Sequence, residues 1–554
     1  MIQFSRRLVG VCLALGAAAL AACDSGTGSS DDLFAPTGLA VTASGPSSVT
    51  VTFNTVPGAT TYEVQRATGT GTDFTTVGTV PSSPFTESGL EPSATYSYRV
   101  AAVKGSAKSD YTGAQSVTLL NRPVVTIGTD ITSNRRFDSD TVYVLGAFVH
   151  VANGATLTIE EGTRIEGLPS SALFILRGAK IIAIGTAARP IVFTSNRSAG
   201  QRQPGDWGGL IIVGNGIINR ADPILLEGSN TGGTNYAVTY SGGNNNADDS
   251  GELRYVRVEF AGFGPAPDQE LNSFTFAAVG SGTRLSYLQA MSGLDDSYEW
   301  FGGAVDGKYL VSYESGDDHF DASEGFSGRN QFLIAYQDTI IPPRNGAGNV
   351  SSDPQGIEND GCNGANCVNG FNSQPYTIPI FANFTLVGLR NTPVSVPAAG
   401  GRGMVLRRGT GGYYVNGIVA RWPVAMSIRD AATNDRITAG DLQVKNILSV
   451  ENAAVFEAGN ERYSVDAAAN AIESSAATTA SLFTTFPATT AAHTAASFDW
   501  TPAAGSAAAS GGLATFTGAL QTKAGGVVAG TAYRGAADPA GPKWWQGWTN
   551  YARN

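Results

Sequence analysis

The chain has few residues of the kinds that build thiolate, imidazole or phosphate-binding sites. Among 554 residues there are only 4 cysteines, 3 histidines and 4 methionines. Aspartate and glutamate outnumber lysine and arginine by 46 to 35, and the basic residues form no cluster. Because phosphate binding requires clustered basic side chains, this composition argues against nucleic acid as a partner. The 69 glycines favour many short strands and turns over helical bundles.

Apolar runs long enough to span a bilayer are absent after the first segment of the chain. That segment carries two arginines and a short apolar run, and it closes on Leu20-Ala21-Ala22-Cys23. The layout is typical of a secretory signal that ends in a lipobox. We therefore expect residues 1–22 to be a lipoprotein signal peptide, Cys23 to carry the lipid and residues 23–34 to form a flexible tether. The folded domains would lie outside the cytoplasm, anchored to the lipid bilayer of the cell membrane or outer membrane.

Two cysteines remain after the signal peptide and the lipidated residue are set aside. Cys12 lies in the signal peptide, and Cys362 and Cys367 stand in the segment C-N-G-A-N-C. Outside the cytoplasm such a pair closes a loop as a disulfide. A zinc site is the alternative, but no histidine is near and two thiolates do not complete a tetrahedral shell. The sequence favours a Cys362–Cys367 disulfide.

Residues 35–119 show short alternating strands separated by turn residues. Val49-Thr50-Val51-Thr52-Phe53 alternates as a half-buried strand does, and Tyr96 follows a predicted corner at which its hydroxyl can bind the backbone. The segment resembles a fibronectin type III domain, with Tyr96 as the tyrosine corner and Phe53 in place of the usual tryptophan. The resemblance implies a spacer or a binding surface. No Arg-Gly-Asp occurs, so an integrin-type role has no support.

Internal repetition begins after residue 121. The segment Gly154–Ile159 recurs as Gly178–Ala183, an offset of 24 residues, and Gly162-Thr163 recurs as Gly185-Thr186, an offset of 23. Self-similarity at this period, with strand-like triplets and glycines at the corners, is typical of a β-solenoid. We therefore predict an all-β chain with a right-handed parallel β-helix over residues 122–465.

Five segments carry a more specific resemblance: Ala155–Gly167, Pro190–Ser195, Gly205–Asn215, Glu252–Gly262 and the tail Tyr533–Tyr551. They are similar to a family of secreted or lipid-anchored bacterial proteins with a pectin-lyase-like β-helix. That family has no established activity. The resemblance therefore implies a fold and a location, and it leaves the function open.

The C-terminal part of the chain has weaker periodicity. Residues 466–530 are rich in alanine, threonine and serine and are interpreted as a partly ordered flank. Residues 531–554 contain Trp544, Trp545 and Trp548. Such a cluster either shields the last coil of a solenoid or stacks on sugars, and we expect it to cap the open end.

Acidic residues recur at the spacing of one coil. Leu294-Asp295-Asp296 and Gly316-Asp317-Asp318 are 22 residues apart, so stacking should place the two aspartate pairs on one edge. The surrounding acidic segment is long; besides those pairs it contains Glu299, Asp306, Glu314, His319, Asp321 and Glu324. Three interpretations of this ladder stay open.

The first interpretation is a turn role, in which each aspartate binds its own backbone at a corner. The second is a calcium site, since stacked carboxylates supply the oxygen ligands that a hard cation prefers. It would use five aspartates: Asp295, Asp296, Asp317, Asp318 and Asp321. A turn role explains single aspartates better than two stacked like-charged pairs, because adjacent carboxylates repel unless a cation or proton intervenes.

The third interpretation is catalysis. Paired carboxylates raise one pKa and so supply an acid and a base for glycosidic hydrolysis. The candidate residues are Asp295, Asp296, Asp317, Asp318 and His319, with Arg329 as an alternative assistant to the histidine. The N-T-D, His-Gly and Arg-x-Lys signatures of polygalacturonases are absent, which weakens this interpretation.

Aromatic residues accompany the acidic segment. Trp300 and Tyr313, with Tyr298 and Phe301 nearby, would suit the stacking of sugars if they face solvent. Taken together, the sequence predicts a cell-envelope lipoprotein that binds glycan or another envelope component along its β-helix, with calcium as a candidate cofactor and no cofactor established. The alternatives are a polysaccharide hydrolase or lyase that uses the acidic ladder, and a structural stalk.

Overall fold

The computed structural model describes residues 33–230, 237–266, 269–389, 401–459, 472–487 and 493–553. The chain divides into two compact units, with the boundary between Asn121 and Arg122. Within the described ranges, the helices are too short or too polar to cross a membrane. Cys23 and the predicted signal peptide lie outside the described residues.

The first unit is built from two antiparallel sheets, as the resemblance implies. One sheet has the order β1-β2-β5, and in the other β4-β3-β6-β7 is joined by β8 pairing with β6. The strands are β1 (Ala40–Gly45), β2 (Ser48–Thr52), β3 (Thr61–Thr68), β4 (Thr75–Val80), β5 (Phe85–Ser88), β6 (Thr95–Lys104), β7 (Ala107–Lys108) and β8 (Gln115–Thr118).

The core of this unit comes from the alternation read in the sequence. Val49 and Val51 of β2 are fully buried, and the Phe53 ring packs 4.8 Å from that of Tyr62. The backbone N–H of Glu91 donates to the hydroxyl of Tyr96 at 3.0 Å. The predicted tyrosine corner is confirmed, and Phe53 fills the core position expected for it.

The second unit is a right-handed parallel β-helix. A 17-stranded sheet wraps two faces of the coils and a 10-stranded sheet forms the third. The larger sheet contains β9 (Val124–Ile127), β10 (Arg135–Phe137), β11 (Val142–Leu145), β13 (Thr156–Ile159), β14 (Arg164–Gly167), β16 (Lys180–Ile184), β17 (Ile191–Ser195), β19 (Gly251–Glu259), β21 (Arg284–Met291), β23 (Asp306–Tyr313), β25 (Arg329–Tyr336), β27 (Ile380–Val387), β29 (Gly412–Val415), β30 (Ile418–Ala420), β32 (Leu442–Lys445), β33 (Ile447–Val450) and β35 (Ile472–Ser475).

The 10-stranded sheet contains β12 (Phe148–Val151), β15 (Ala172–Ile175), β18 (Leu210–Val213), β20 (Phe274–Ala277), β22 (Tyr298–Phe301), β24 (Phe320–Ser323), β26 (Ile357–Asp360), β28 (Arg402–Arg407), β31 (Val424–Ile428) and β34 (Ala454–Phe456). A separate hairpin pairs β36 (Phe483–Thr485) with β37 (Asp499–Pro502). The α-helices are α1 (Ala431–Ala439), α2 (Thr479–Leu482) and α3 (Gly518–Ala524). Short 3-10 turns occupy Gly370–Asn372, Ala495–Ser497 and Ala507–Ala509.

The repeat read in the sequence corresponds to neighbouring coils. β13 pairs with β16 in parallel, with Thr156 opposite Lys180 and Ile159 opposite Ala183. In stacked parallel strands, residues at equivalent positions of successive coils lie next to each other. The inward side chains therefore form continuous columns inside the solenoid. One such column stacks Phe274 on Tyr298 at 5.1 Å, and Tyr298 on Phe320 at 5.3 Å.

Each coil presents three outer faces. The strands β19, β21, β23, β25 and β27 bend in their middle, so their N-terminal halves lie on what we call the first face and their C-terminal halves on the second face. Other coils divide the same path between two strands, such as β13 and β14. The 10-stranded sheet is the third face.

The bend is made by one residue per coil in the left-handed backbone region. These residues form a column: Tyr255, Tyr287, Tyr309, Phe332, Asn383, Asn416 and Asn446, with φ between +50° and +66°. Asparagine tolerates this conformation, whereas an aromatic residue pays about 1–2 kcal/mol for it. The four aromatic rings stack at 4.4, 4.5 and 5.1 Å, and this packing offsets the local cost.

The C-terminal tail covers the second face, and the prediction that its tryptophans cap the open end is wrong. Trp548 lies edge-on to Tyr255 at 5.7 Å, and Trp544 packs on Tyr309 at 5.1 Å. Arg257 of β19 donates to the Trp548 carbonyl at 2.8 Å. The second face carries outward apolar side chains in the middle of the solenoid, and the tail buries them.

The segment after residue 465 is part of the same unit. β35 pairs in parallel with β33, so the sheet extends beyond the predicted end of the β-helix. α3 packs its Leu520 against outward side chains of β27 and β29, which covers the first face at those two coils. Cys362 and Cys367 form the predicted disulfide.

Candidate cation site

The acidic residues are positioned by two stacked corners and by one column of the third face. Asp295 and Asp296 stand in the corner between β21 and β22, and Asp317 and Asp318 stand in the next corner, between β23 and β24. A Cβ atom on Gly316 would lie 2.0 Å from the Leu294 carbonyl oxygen. Only glycine therefore allows the two corners to stack this closely.

The column of the third face adds three more carboxylates. Glu299 of β22 is opposite Asp321 of β24, and Asp321 is opposite Glu358 of β26. Neighbouring strands are about 4.8 Å apart, so the strand register alone brings these outward side chains together. We call the corner aspartates and this column the acidic ladder.

The acidic ladder contains three overlapping groups of oxygens. In each group one carboxylate oxygen per residue lies within 4.8 Å of the others; the groups are Asp295, Asp296 and Asp317, then Asp296, Glu299 and Asp321, then Asp318, Asp321 and Glu358. Two oxygens bound to one Ca²⁺ at 2.3–2.6 Å cannot be more than about 5 Å apart. The spacing therefore fits a shared hard cation, and the donors are all oxygens.

Positive side chains reach only one end of the acidic ladder. Arg407 pairs with Glu358 and with the neighbouring Asp360, and Arg408 also pairs with Asp360. Among the described residues, no lysine, arginine or histidine nitrogen lies within 4.0 Å of the other ladder carboxylates. Most of the negative charge has no compensation from the chain itself.

Burial and mutual repulsion raise the pKa values of these carboxyl groups. The pKa of Asp296 lies well above its usual range because the group is buried and because the Asp318 and Asp295 charges are close. Burial and the charge of Glu358 do the same to the pKa of Asp321. The pKa of Asp317 is raised to about 7, again chiefly by burial. Without a cation, folding therefore favours protonated carboxyls in the acidic ladder.

Backbone contacts satisfy part of the acidic ladder, as a turn role predicts. The Asp318 N–H donates to Asp296 Oδ1 at 2.8 Å, and the Gln355 N–H donates to Asp318 Oδ1. Asp321 Oδ1 is buried and accepts no hydrogen bond. A turn role thus accounts for some oxygens and leaves the remainder facing other carboxylates.

The position of His319 does not support the catalytic interpretation. His319 is fully buried, its Nδ1 lies in hydrogen-bond contact with the Ser312 hydroxyl, and burial lowers its pKa to about 3. Arg329 pairs with Asp306 at 2.6 Å on the first face. Three clefts of about 200–370 Å³ in the described part of the chain are lined by no residue of the acidic ladder and not by His319.

The predicted sugar-stacking residues are not at the surface. Trp300 is fully buried and stacks on Phe276 inside the solenoid at 5.8 Å, and Tyr298 is buried in the adjacent column, 5.9 Å from Trp300. Tyr313 is buried beneath the C-terminal tail, where its hydroxyl bonds His493 Nδ1 at 2.8 Å. These positions follow strand alternation, which directs Trp300 inward.

Three acidic residues of the predicted cluster lie elsewhere. Asp306 pairs with Arg329, Glu314 with Arg553 at 2.7 Å and Glu324 with Arg220.

Glu358, in contrast, belongs to the acidic ladder and was not predicted from the sequence. It lies 37 residues after Asp321 because a long loop breaks the 22-residue period. The strand pattern apolar-acid in Tyr298-Glu299, Phe320-Asp321 and Ile357-Glu358 is the signal that could have found it.

Two family descriptions match the chain. Residues 129–503 match a pectate-lyase-like beta helix domain, and residues 34–117 match a fibronectin type III domain.

Individual relatives cover only small parts of the chain. A poly(3-hydroxybutyrate) depolymerase from Ralstonia pickettii is 42% identical over 83 residues, which is 15% of this chain and 15% of that protein. An Fn3-like protein from Clostridium thermocellum is 31% identical, with a TM-score of 0.14, over 15% of this chain and 86% of that one. The FN5 domain of Drosophila Lar is 22% identical, with a TM-score of 0.15, over 16% and 97%.

Proposed function

The chain belongs to the family of pectate-lyase-like beta helix domains, and from this we propose that it is an exported, lipid-anchored binding protein whose β-helix holds divalent cations in the acidic ladder. Calcium is the preferred ion, because the donor set consists of carboxylate oxygens and calcium is abundant outside cells. The single observation that carries the proposal is the set of three overlapping oxygen groups within 4.8 Å.

The cation would act as a structural link between coils. Asp296 belongs to the first and second groups and Asp321 to the second and third. Ions bound there would therefore contact β22, β24 and their preceding corners together. A divalent ion neutralises the charges of Asp296 and Asp321, which otherwise bind protons because their pKa values are raised. Binding to the folded chain alone stabilises it by mass action.

Calorimetric titration of the metal-stripped protein with CaCl₂ tests this proposal. We expect saturable binding at pH 7.5 with a Kd of roughly 10⁻⁴–10⁻³ M, the range of extracellular calcium modules. Asp318→Asn should weaken binding, and Asp441→Asn, whose carboxylate pairs with Arg436 on another part of the solenoid, should not. Heat signals that do not saturate, or equal affinities for the two variants, would reject the proposal.

The lipid anchor is supported by the lipobox at Cys23 and by the arginines and apolar run that precede it. Mass spectrometry of the mature N-terminus should find diacylglycerol on the Cys23 sulfur. Cys23→Ser should release the protein from the detergent phase in phase partitioning. An unmodified N-terminus at Cys23, or cleavage elsewhere, would contradict this part of the proposal.

The binding role is supported by the unequal covering of the outer faces. The tail buries the second face, whereas the first face stays open over β19, β21 and β23. An open sheet with polar side chains suits a glycan or another envelope component. A hydrolase or lyase role has less support, because His319 is buried and the three clefts of the described residues are lined by no residue of the acidic ladder. A purely structural stalk would leave the open face unused.

A further inference from the structure

An open cleft crosses three coils on the first face. It has a volume of about 370 Å³ and runs over β19, β21 and β23. Six of its lining residues carry most of the argument: Arg254, Arg284, Ser286, Tyr287, Asp306 and Lys308. Val527, just after α3, closes the end towards β27.

The strand register arranges the floor of this cleft in two columns. In one column Glu252, Arg284 and Asp306 follow each other, and Arg284 pairs with Glu252 at 3.0 Å. Asp306 pairs with Arg329, so this column is neutral as a whole.

The second column is positively charged. Arg254, Ser286 and Lys308 lie opposite one another on consecutive strands, a cation, a hydroxyl and a cation. Among the described residues, no carboxylate lies within 4.0 Å of the charged groups of Arg254 or Lys308. On a chain of net charge −11, two cations left without an ion pair in one cleft favour an anionic ligand.

The wall of the cleft is aromatic and held in place. Tyr287 stacks between Tyr255 at 4.4 Å and Tyr309 at 4.5 Å, and Trp548 of the tail braces it from the far side at 6.2 Å. Both faces of Tyr287 are therefore covered by neighbouring rings, and its edge is the part that lines the cleft. The hydroxyls of Ser281, Thr283 and Ser286 line the same cleft and can bond the hydroxyls of a sugar. The two cations and these hydroxyls together favour an anionic glycan.

The spacing of the cations limits which anionic glycan fits. The backbone positions of Arg254 and Lys308 are two strand spacings apart, about 9–10 Å. One strand spacing is close to the length of a sugar residue in an extended chain, so the cations match anions on every second sugar. A glycan with an anion on every sugar would place an anion over Ser286, where it would be repelled by the carboxylates of Glu252 and Asp306.

We propose that this cleft binds a linear glycan that carries one carboxylate per disaccharide, laid across the strands along the column Arg254, Ser286 and Lys308. The inference rests on the proposed role as a binding protein and names its ligand. It does not depend on calcium, because the cleft is on the first face and the acidic ladder is at the third face.

Affinity measurements on the full chain in physiological salt test the proposal. The probes are decasaccharides: hyaluronan with a carboxylate on alternate sugars, oligogalacturonate with one on every sugar, and a neutral chitooligosaccharide. We expect hyaluronan to bind at least tenfold more tightly than the other two. Equal affinity for both acidic glycans, or tighter binding of the neutral one, would overturn the proposal, as would no binding at all.

Variants separate the cleft from general charge effects. Arg254→Ser with Lys308→Ser should weaken hyaluronan binding at least tenfold. The matched pair Arg135→Ser with Lys445→Ser makes the same charge change on first-face strands outside the cleft, and it should have no effect. Equal losses in the two pairs would overturn the proposal. Calcium titration of the wild-type chain tells the two hypotheses apart, since a wild-type chain that binds calcium but no glycan contradicts only this one.

Discussion

Asp321 is the residue on which the acidic ladder most depends. It belongs to two of the three oxygen groups, and its Oδ1 is buried without a hydrogen bond. A buried carboxylate in that position must gain a proton or a cation, because Arg407, the cation that lowers its pKa, is already paired with Glu358 and Asp360. The same residue should therefore control both the stability of the metal-free protein and its affinity for calcium.

Replacing Asp321 by asparagine separates these two effects. Asp321→Asn removes one negative charge and keeps the shape, so we expect the metal-free variant to melt at a higher temperature than wild type at pH 8. Its calcium affinity should fall by about tenfold or more, since affinity follows the number of charged ligands. Thermal melting with and without calcium measures both.

Asp249→Asn is the matched control. Asp249 is half exposed and pairs with Lys180 at 2.6 Å, away from the acidic ladder. Its replacement should leave the calcium-induced rise in melting temperature unchanged. If both variants respond to calcium as wild type does, Asp321 is not a ligand.

The pH dependence of stability has a definite sign. In the folded chain the pKa values of Asp317 and Glu358 are raised to about 7, and those of Asp296 and Asp318 are raised well above their usual range. Unfolded carboxyls titrate near 4, so the folded state binds more protons above that pH. The metal-free protein should lose stability as pH rises from about 4 through 7.

Calcium should reverse this trend. At pH 8 the carboxylates are ready to bind the ion, whereas at pH 5 protons compete with it. The calcium-induced rise in melting temperature should therefore be larger at pH 8 than at pH 5. A rise of the same size at both values would mean that calcium acts at some other site.

At the scale of the elements, the bent strands explain why the tail is needed. Their C-terminal halves present apolar side chains outward, and the aromatic residues at the bends stand in a strained backbone region. Trp548 is 1% exposed, packs edge-on to Tyr255 and donates its indole N–H to the Trp544 carbonyl at 2.8 Å. The tail thus works as part of the solenoid.

Trp548→Ala should destabilise the second unit by about 3–5 kcal/mol, the usual cost of deleting a buried large aromatic ring. Urea unfolding measures the loss. The tail should also become easier to cleave with trypsin at Lys543, which lies within it and pairs with Asp499. Trp548→Phe, which keeps most of the packing, should lose less on both counts; equal behaviour of the two variants and wild type would contradict a packing role.

The elements also show what the sequence could and could not predict. The offsets of 24 and 22 residues correctly predicted that Thr156 pairs near Lys180 and that the aspartate pairs stack. Periodicity works here because each coil repeats the same contacts. It could not say that the tail lies on the second face, because that depends on strand bends and on contacts between distant segments.

At the scale of the molecule, the second unit joins two surfaces of opposite character. The third-face edge concentrates carboxylates, and the first face carries the cations Arg254 and Lys308 in an open cleft. A solenoid makes this possible because a one-coil period turns residues that are far apart in sequence into neighbouring rows. The acidic rows repel each other unless they share an ion, so the central claim is that divalent cations bind there.

Crystals of the second unit soaked in calcium, with anomalous difference maps, test that claim most directly. Peaks bounded by Asp296, Glu299 and Asp321, or by either of the other two oxygen groups, are the predicted result. Maps without a peak at any of the three groups at pH 8 and millimolar calcium would contradict the account.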